Sequence, residues 1–428
     1  MPEASNTASP ARRHGRLAVT ALSLPLVLMF SACTPPPATS AGQSAAAAPA
    51  ADLGSCGTVP EFDVKDVDGA VAALPAEIRA GYASYPEEVY ASPWKDLPKA
   101  DGPIKVGLSY LPIANPFGKS VLDQLEASFA EAKAQGLVEG ELVKRIMPDP
   151  ATMTPAEQIR GYQELVREGV DVILTTPLSG AAMVDAVNEA GEQGIVTVSL
   201  SGTIPSKYAV NILDNTYLNV AKPTAEVAKQ LGGTGDVLVV RGVPGLTTDE
   251  YGYNAQKAVL EQCPNINVVG EVVGNYIPAV AKSAVLQFLT SHPADVDAVL
   301  QIGVMGSGAF AAFEQTGRQV PKITDSGASA GSLAYWKKYM AEQGYESAGT
   351  GGNGTQQAKA MFEVAMRTLQ GQGLTVGTIT RTPSMISNEN IDQYLPAGSD
   401  ATSPEEVLDG ESWMESAYLD NFFTATQK

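Results

Sequence analysis

From residue 104 onward the chain alternates short apolar runs with longer amphipathic ones. IKVGLSY (104–110), DVILT (171–175) and IVTVSL (195–200) are apolar runs of strand length. Between the first two, Leu122, Leu125, Phe129 and Ala132 recur at spacings of three and four, which puts them on one helical face. Thr154-Pro155-Ala156-Glu157 reads as the start of another helix, with a hydroxyl to cap it, a proline pre-set for the first turn and a glutamate to close a capping box. Ile159, Tyr162 and Val166 line the apolar face of that helix, and a further helix is expected at 181–193. The rhythm then predicts helices near 216–231, 248–262, 278–291, 306–316, 330–342 and 355–370. It predicts strands near 236–241, 266–273, 297–302, 322–325 and 346–350. DVLVV (236–240) and DAVLQI (297–302) are near-continuous apolar runs, as expected of parallel strands buried on both faces. Roughly ten such βα units are too many for one ordinary open sheet, so the expected fold is α/β with two doubly wound parallel-sheet lobes.

The two ends read differently. Residues 54–103 mix Pro, Tyr, Trp94 and both charges with weak periodicity, as an ordered extension would. Residues 396–428 begin acidic, then place Met414, Tyr418, Leu419 and Phe422 on one possible helical face, a tail able to dock on the body. Residues 33–53 are mostly Pro, Ala and Ser, with too little apolar surface to bury, and read as a tether. Before them, Arg12, Arg13 and Arg16 precede an apolar run at 17–30. That run is too short to cross ~30 Å of hydrocarbon as a helix and suits the core of a secretory signal over 1–32. Ser31, Ala32 and Cys33 resemble a bacterial lipobox, which implies that Cys33 becomes the lipidated first residue. The other two cysteines, Cys56 and Cys263, are a candidate disulfide in an oxidising compartment.

Charge narrows the function. The 28 basic and 47 acidic residues give a formal charge of -19, which argues against nucleic-acid partners and against anionic membrane surfaces. Any membrane association is then through the lipid anchor. There are two histidines, His14 and His292, so a multi-His metal centre is nearly excluded. There is no GxxxxGK[ST] phosphate loop. The GxGxxG match at 349–354 lacks a dinucleotide-binding setting and reads as a crossover into a cleft, its glycines permitting tight turns. Asp249-Glu250 reads as a solvated helix start and His292 as a loop residue.

LPIANPFG (111–118), ILTTPLSGAAMVDAVNEAGEQGIVTVSL (173–200), VNILDNTYLNVAK (210–222), GDVLVVRGVPG (235–245) and VLQFLTSHPADVDAVL (285–300) follow one another in an order that resembles type I periplasmic binding proteins. The nearest group is the sugar receptors of ABC importers, in a lipoprotein branch of high-GC Gram-positive bacteria. The resemblance implies three hinge crossings, a first lobe of 104–213 plus 354–381, and a second of 214–353 plus 382–395. It further implies a monomer without cofactors or catalysis, which captures a sugar-like solute by lobe closure and hands it to an ABC permease. A sensor of the same fold and a surface glycan-acting enzyme are the rival readings.

Ligands of open parallel sheets sit beyond the carboxyl ends of the strands. Candidate polar contacts there are Asn115, Ser201, Asp325, Asn353 and Gln356, with Ser109, Thr175, Thr176, Arg241 and Ser326 behind them. Phe117, Tyr251 and Tyr276 are candidate aromatic faces for a sugar's C–H surface. Sugar receptors of this type carry charged residues at positions that here hold Ser201-Gly202, Tyr251 and Ile302-Gly303. The substrate is therefore open between a sugar, a polyol, a glycoside and a less polar molecule.

Overall fold

Apolar runs without alternation become strands covered on both faces. In the computed structural model, which describes residues 53–149, 152–404, 406–407 and 413–424, every position of the strand Val106–Tyr110 is buried. The expected signal at 1–32, the lipid acceptor Cys33 and all of the tether except Leu53 lie outside the described residues.

The chain first lays down β1 (Val106–Tyr110), α1 (Pro116–Ala134), β2 (Val143–Ile146), α2 (Pro155–Arg167), β3 (Val172–Thr175), α3 (Gly180–Glu192), β4 (Val196–Leu200) and β5 (Ala209–Asp214). It continues with α4 (Thr216–Gln230), β6 (Thr234–Arg241), α5 (Thr247–Leu260), β7 (Asn265–Val273), α6 (Pro278–Ser291), β8 (Ala298–Gln301), α7 (Gly306–Thr316), β9 (Lys322–Ile323), α8 (Ala330–Gln343) and β10 (Gly349–Thr350). Then come α9 (Gly354–Leu369), β11 (Thr378–Arg381) and β12 (Met385–Ile386). The first sheet has the order β11-β5-β4-β3-β1-β2 and the second β9-β8-β6-β7, with every pairing parallel. A short antiparallel pair, β10-β12, belongs with the second lobe. The expectation of two doubly wound parallel-sheet lobes is met.

The chain passes between lobes three times: from β5 to α4, from β10 to α9, and from β11 to β12. Helix α9 is encoded late yet packs on α1 and β4 of the first lobe. Its closeness explains Gly354, where a Cβ would lie 2.5 Å from Ser120 Oγ and 2.8 Å from the Phe117 carbonyl. None of the glycines in the 349–354 run has a positive φ, so close approach rather than turning accounts for this one. Side-chain caps at Asn115, Thr154, Ser179, Asn215, Ser329 and Asn353 satisfy the first turns of α1, α2, α3, α4, α8 and α9. Each such cap contributes about 1 kcal/mol.

The described parts of both terminal segments pack against both lobes. Cys56 is bonded to Cys263 beyond α5, with Cα atoms 4.6 Å apart. Phe62 meets the edge of Tyr217 on α4 at 5.1 Å. The extension then reaches the first lobe, where Trp94 Nε1 donates to the Tyr208 carbonyl at 3.0 Å. In the tail, the Ser403 carbonyl accepts from Gly331 N of α8 at 2.9 Å. Trp413, Met414, Leu419 and Phe422 are buried in the first-lobe core. The expected tail helix is brief, Ser416–Leu419 followed by a 3-10 turn, and Tyr418 is half-buried.

Candidate ligand-binding cleft

The carboxyl ends of the two sheets face one cavity of about 440 Å³. Residues just past strand ends line it: Leu111 after β1, Thr176 after β3, Ser201 after β4, Val243 after β6, and Ile302 and Gly303 after β8. The size suits a small molecule. Among the described lining residues there is no Lys, Arg or His. Of the two lining acids, Asp149 is exposed at the rim. Asp214 accepts from Trp413 Nε1 at 2.9 and 3.0 Å and lies 3.6 Å from Arg381 Nε. The cleft therefore offers neutral dipoles and apolar surface.

Backbone strain concentrates here. Among the described residues six non-glycine positions have positive φ, and Ser201, Asn275, Tyr276 and Val304 among them line the cavity. For a β-branched residue such as Val304 this is a genuine outlier, which persists only when the surrounding packing enforces it. Tyr276 shows how. A Cβ at Gly242 would sit 2.2 Å from its Cζ, and one at Gly303 would sit 2.9 Å from its Cε1. The ring fits only because both neighbours are glycine. Its hydroxyl is buried without a partner, and burial pushes its pKa well up, helped by the nearby Asp249 charge. Tyr276 therefore presents its ring, not its hydroxyl, to the cleft.

Four of the expected site residues come together. Asn115, Phe117, Ser201 and Tyr276 all line the cavity. Asn115 Oδ1 accepts from Gly118 N at 2.8 Å as the cap of α1, while Nδ2 donates to the Tyr276 carbonyl of the opposite lobe at 3.4 Å. Thr248 Oγ1 of the second lobe donates to the Ser201 carbonyl at 2.6 Å. Ser201 Oγ donates to Gln357 Oε1 at 2.7 Å, which turns the amide of Gln357 as a donor on its other side.

The other four do not line it. Tyr251 donates its hydroxyl to Glu87 of the extension, a partner that sequence could not have placed there. Asp325 is fully buried inside the second lobe, next to Gln301 Nε2 at 3.3 Å. Asn353 is spent as the cap of α9, accepting from Gln356 N. Gln356 is not part of the lining, and its neighbour Gln357 takes the cleft position. Of the polar residues behind them, Thr176 reaches the cavity, whereas Ser109 and Thr175 are buried in β1 and β3 and Ser326 Oγ donates to the Asn219 carbonyl. Arg241 pairs with Asp249 and, at 2.7 Å, with Glu250. Asp249 is thus fully buried rather than the solvated helix start expected, because Arg241 and Gly242 N satisfy it. Sequence reasoning missed Asn219, whose Oδ1 is a buried acceptor without a hydrogen-bond partner on the cavity wall. Its place one turn into α4, just past the first crossing, was the available signal.

Comparisons with known proteins agree with this architecture. Residues 106–373, more than half of the chain, match the family described as "Periplasmic binding protein domain". A xylitol-binding protein of Mycolicibacterium smegmatis is 24% identical over 260 residues, 60% of this chain and 71% of the relative. The ribose import binding protein RbsB of Bacillus subtilis is 24% identical over 217 residues, 50% of this chain and 67% of the relative. A solved ABC transporter solute binding protein from Thermobispora bispora superposes with a TM-score of 0.60 at 25% identity, covering 69% of this chain and 88% of that one. Fold, cleft and sequence converge, and the chain belongs to the periplasmic binding protein domain family.

Proposed function

We propose that the protein captures an uncharged sugar or polyol outside the cytoplasmic membrane and presents it to an ABC permease. The observation that carries this reading is the cleft itself. It lies between two sheets joined by three crossings, and neutral groups from both lobes line it. The relatives named for xylitol binding and ribose import support a polyhydroxy ligand. Closure is the mechanism. A ligand touching both lobes binds the closed state more tightly, and only that difference moves the population. A shift from 1:99 to 99:1 takes about 5.5 kcal/mol of differential binding. Release of the unaltered ligand needs no covalent step.

In this reading the N-terminal segment supplies the address. Cys33 carries the lipid, residues 33–53 form the tether, and the folded body works as a monomer on the outer face of the membrane. Among the described residues no helix is long and apolar enough to cross a membrane. A thermal-shift screen of the full-length protein against neutral sugars and polyols tests the reading, with sugar acids and sugar phosphates as controls. Binding to the native state raises the midpoint by mass action, so at least one neutral compound is expected to raise it while the anions do not. Silence across the neutral panel at millimolar concentration, or turnover of a glycoside, would end it.

A further inference from the structure

The cleft is polar at one end and apolar at the other. The first sheet runs from β11 and β5, which carry two of the three crossings, to β1 and β2 at the far edge. Near the crossings the wall is mostly polar, with Ser201, Asp214, Thr216, Asn219 and Gln357 beside Leu213. Asn219 Oδ1 is the acceptor there that lacks a donor, and burying it unpaired is costly. Beyond β1 and β2 the wall changes to Leu111 and Met153, which meet Val243 and Leu246 from the second lobe. These four belong to one apolar cluster, backed by the buried Met147 and Leu178. Asp149, the acid nearest them in sequence, is exposed to solvent at the rim.

Size is compatible with this. The cavity of about 440 Å³ lies in the range of small-molecule pockets and opens to solvent on one side. A six-carbon sugar has twelve heavy atoms, so a sugar held at the polar end leaves room for a substituent towards the apolar wall.

We propose that the cleft takes an uncharged polyol head bearing an apolar substituent, of the class of an alkyl or aryl glycoside. The head's hydroxyls sit at the hinge end, one donating to Asn219 Oδ1 and one accepting from Gln357. The substituent fills the wall of Leu111, Met153, Val243 and Leu246. This inference rests on the capture reading above and names its ligand class.

Isothermal titration of the full-length protein tests it with matched pairs: xylose, glucose and ribose, each beside its phenyl β-glycoside, with xylitol alongside. The best glycoside is expected to bind at least tenfold tighter than any bare sugar or xylitol. In the double variant Met153→Asn, Val243→Asn that advantage shrinks at least threefold, with circular dichroism checking that the variant is folded. If a bare sugar or xylitol binds as tightly as every glycoside, the proposal is wrong while capture of a neutral solute stands. If the advantage survives the double variant, the apolar wall is not where the substituent lies and the proposal also fails. If nothing in the panel binds, the proposal is wrong, and capture of another neutral solute is decided by the wider thermal-shift screen.

Discussion

Tyr276 joins backbone strain, packing and the ligand wall at one residue. It holds a positive φ beside Asn275, its ring is wedged by Gly242 and Gly303, and its carbonyl accepts from Asn115 across the cleft. Its unpartnered hydroxyl lies on the protein side. Removing that oxygen relieves a buried polar group that costs about 1–3 kcal/mol when unpaired. Tyr276→Phe is therefore expected to be as stable as the parent or more so, with ligand affinity within about threefold. Tyr276→Ala removes the ring from the cleft and loses tenfold or more, about 1.4 kcal/mol. Calorimetric titration of both variants with one ligand checks this, and equal losses would show that the hydroxyl, not the ring, makes the contact. At this scale the sequence was half legible. Residue type and strand-end position picked out Asn115, Phe117, Ser201 and Tyr276. They failed for Tyr251, which the extension engages, and for Gln356, which differs from Gln357 by one step of about 100° around α9. Phase at that resolution depends on which residue caps the helix, and Asn353 does so here.

The elements were more legible where burial is complete. β1, β3, β4 and β8 are apolar runs with every position buried, and the pattern located each of them. It missed β2, an edge strand reading VKRI with no buried position, β11, which buries two threonines, and β5, whose AVNILD run buries five of its six positions. The first two do not look like strands to a hydrophobicity pattern, because an edge tolerates charge and a hydroxyl can be satisfied internally; β5 breaks its apolar run with Asn211, whose amide is satisfied by the Ile204 backbone. Asp325 is the polar residue that element packing explains best. It follows β9, exchanges backbone bonds with Ala348 and Thr350 at the entrance to β10, and lies against Gly306 at the start of α7. Burial raises its pKa to about 7. A carboxyl whose folded pKa exceeds its unfolded value of ~3.9 holds its proton longer when folded. Its contribution is complete below pH ~4 and is lost as pH rises through about 7. Asp325→Asn removes that dependence. The variant is expected to gain stability relative to the parent between pH 5 and pH 8, by an amount on the order of 3 kcal/mol. Urea midpoints across that range check it, and parallel curves would show that Asp325 titrates normally.

At the scale of the whole molecule, the terminal segments change what closure has to move. The three crossings were expected from the resemblance, but the paths of the two ends were not, because nothing local in residues 54–103 or 396–428 says which surface they cover. The extension is pinned to the second lobe by the Cys56–Cys263 bond and to the first by Trp94, and it passes the first crossing between them. There its Gly81 and Ala83 carbonyls accept from Asn215 Nδ2 at 3.1 and 2.8 Å. The tail spans the lobes in the other direction and puts Trp413 on Asp214, the residue before Asn215. Opening must therefore strain the extension, a strap tied to both lobes, as well as three crossings. Cutting this strap at its covalent end separates the effects. Replacing Cys56 and Cys263 with Ser removes a closure over 207 residues, about 5 kcal/mol in the chain-entropy view and 2–4 kcal/mol in typical cases, so the unfolding midpoint falls. The freed extension no longer resists separation, so the ligand-free protein opens further and its radius of gyration in solution scattering rises. The bound form keeps its dimensions, and affinity drops because the binding-competent closed state is less populated. A lower midpoint with unchanged dimensions and affinity would make the bond a staple for the fold alone. Changes in all three place the extension in the closing mechanism.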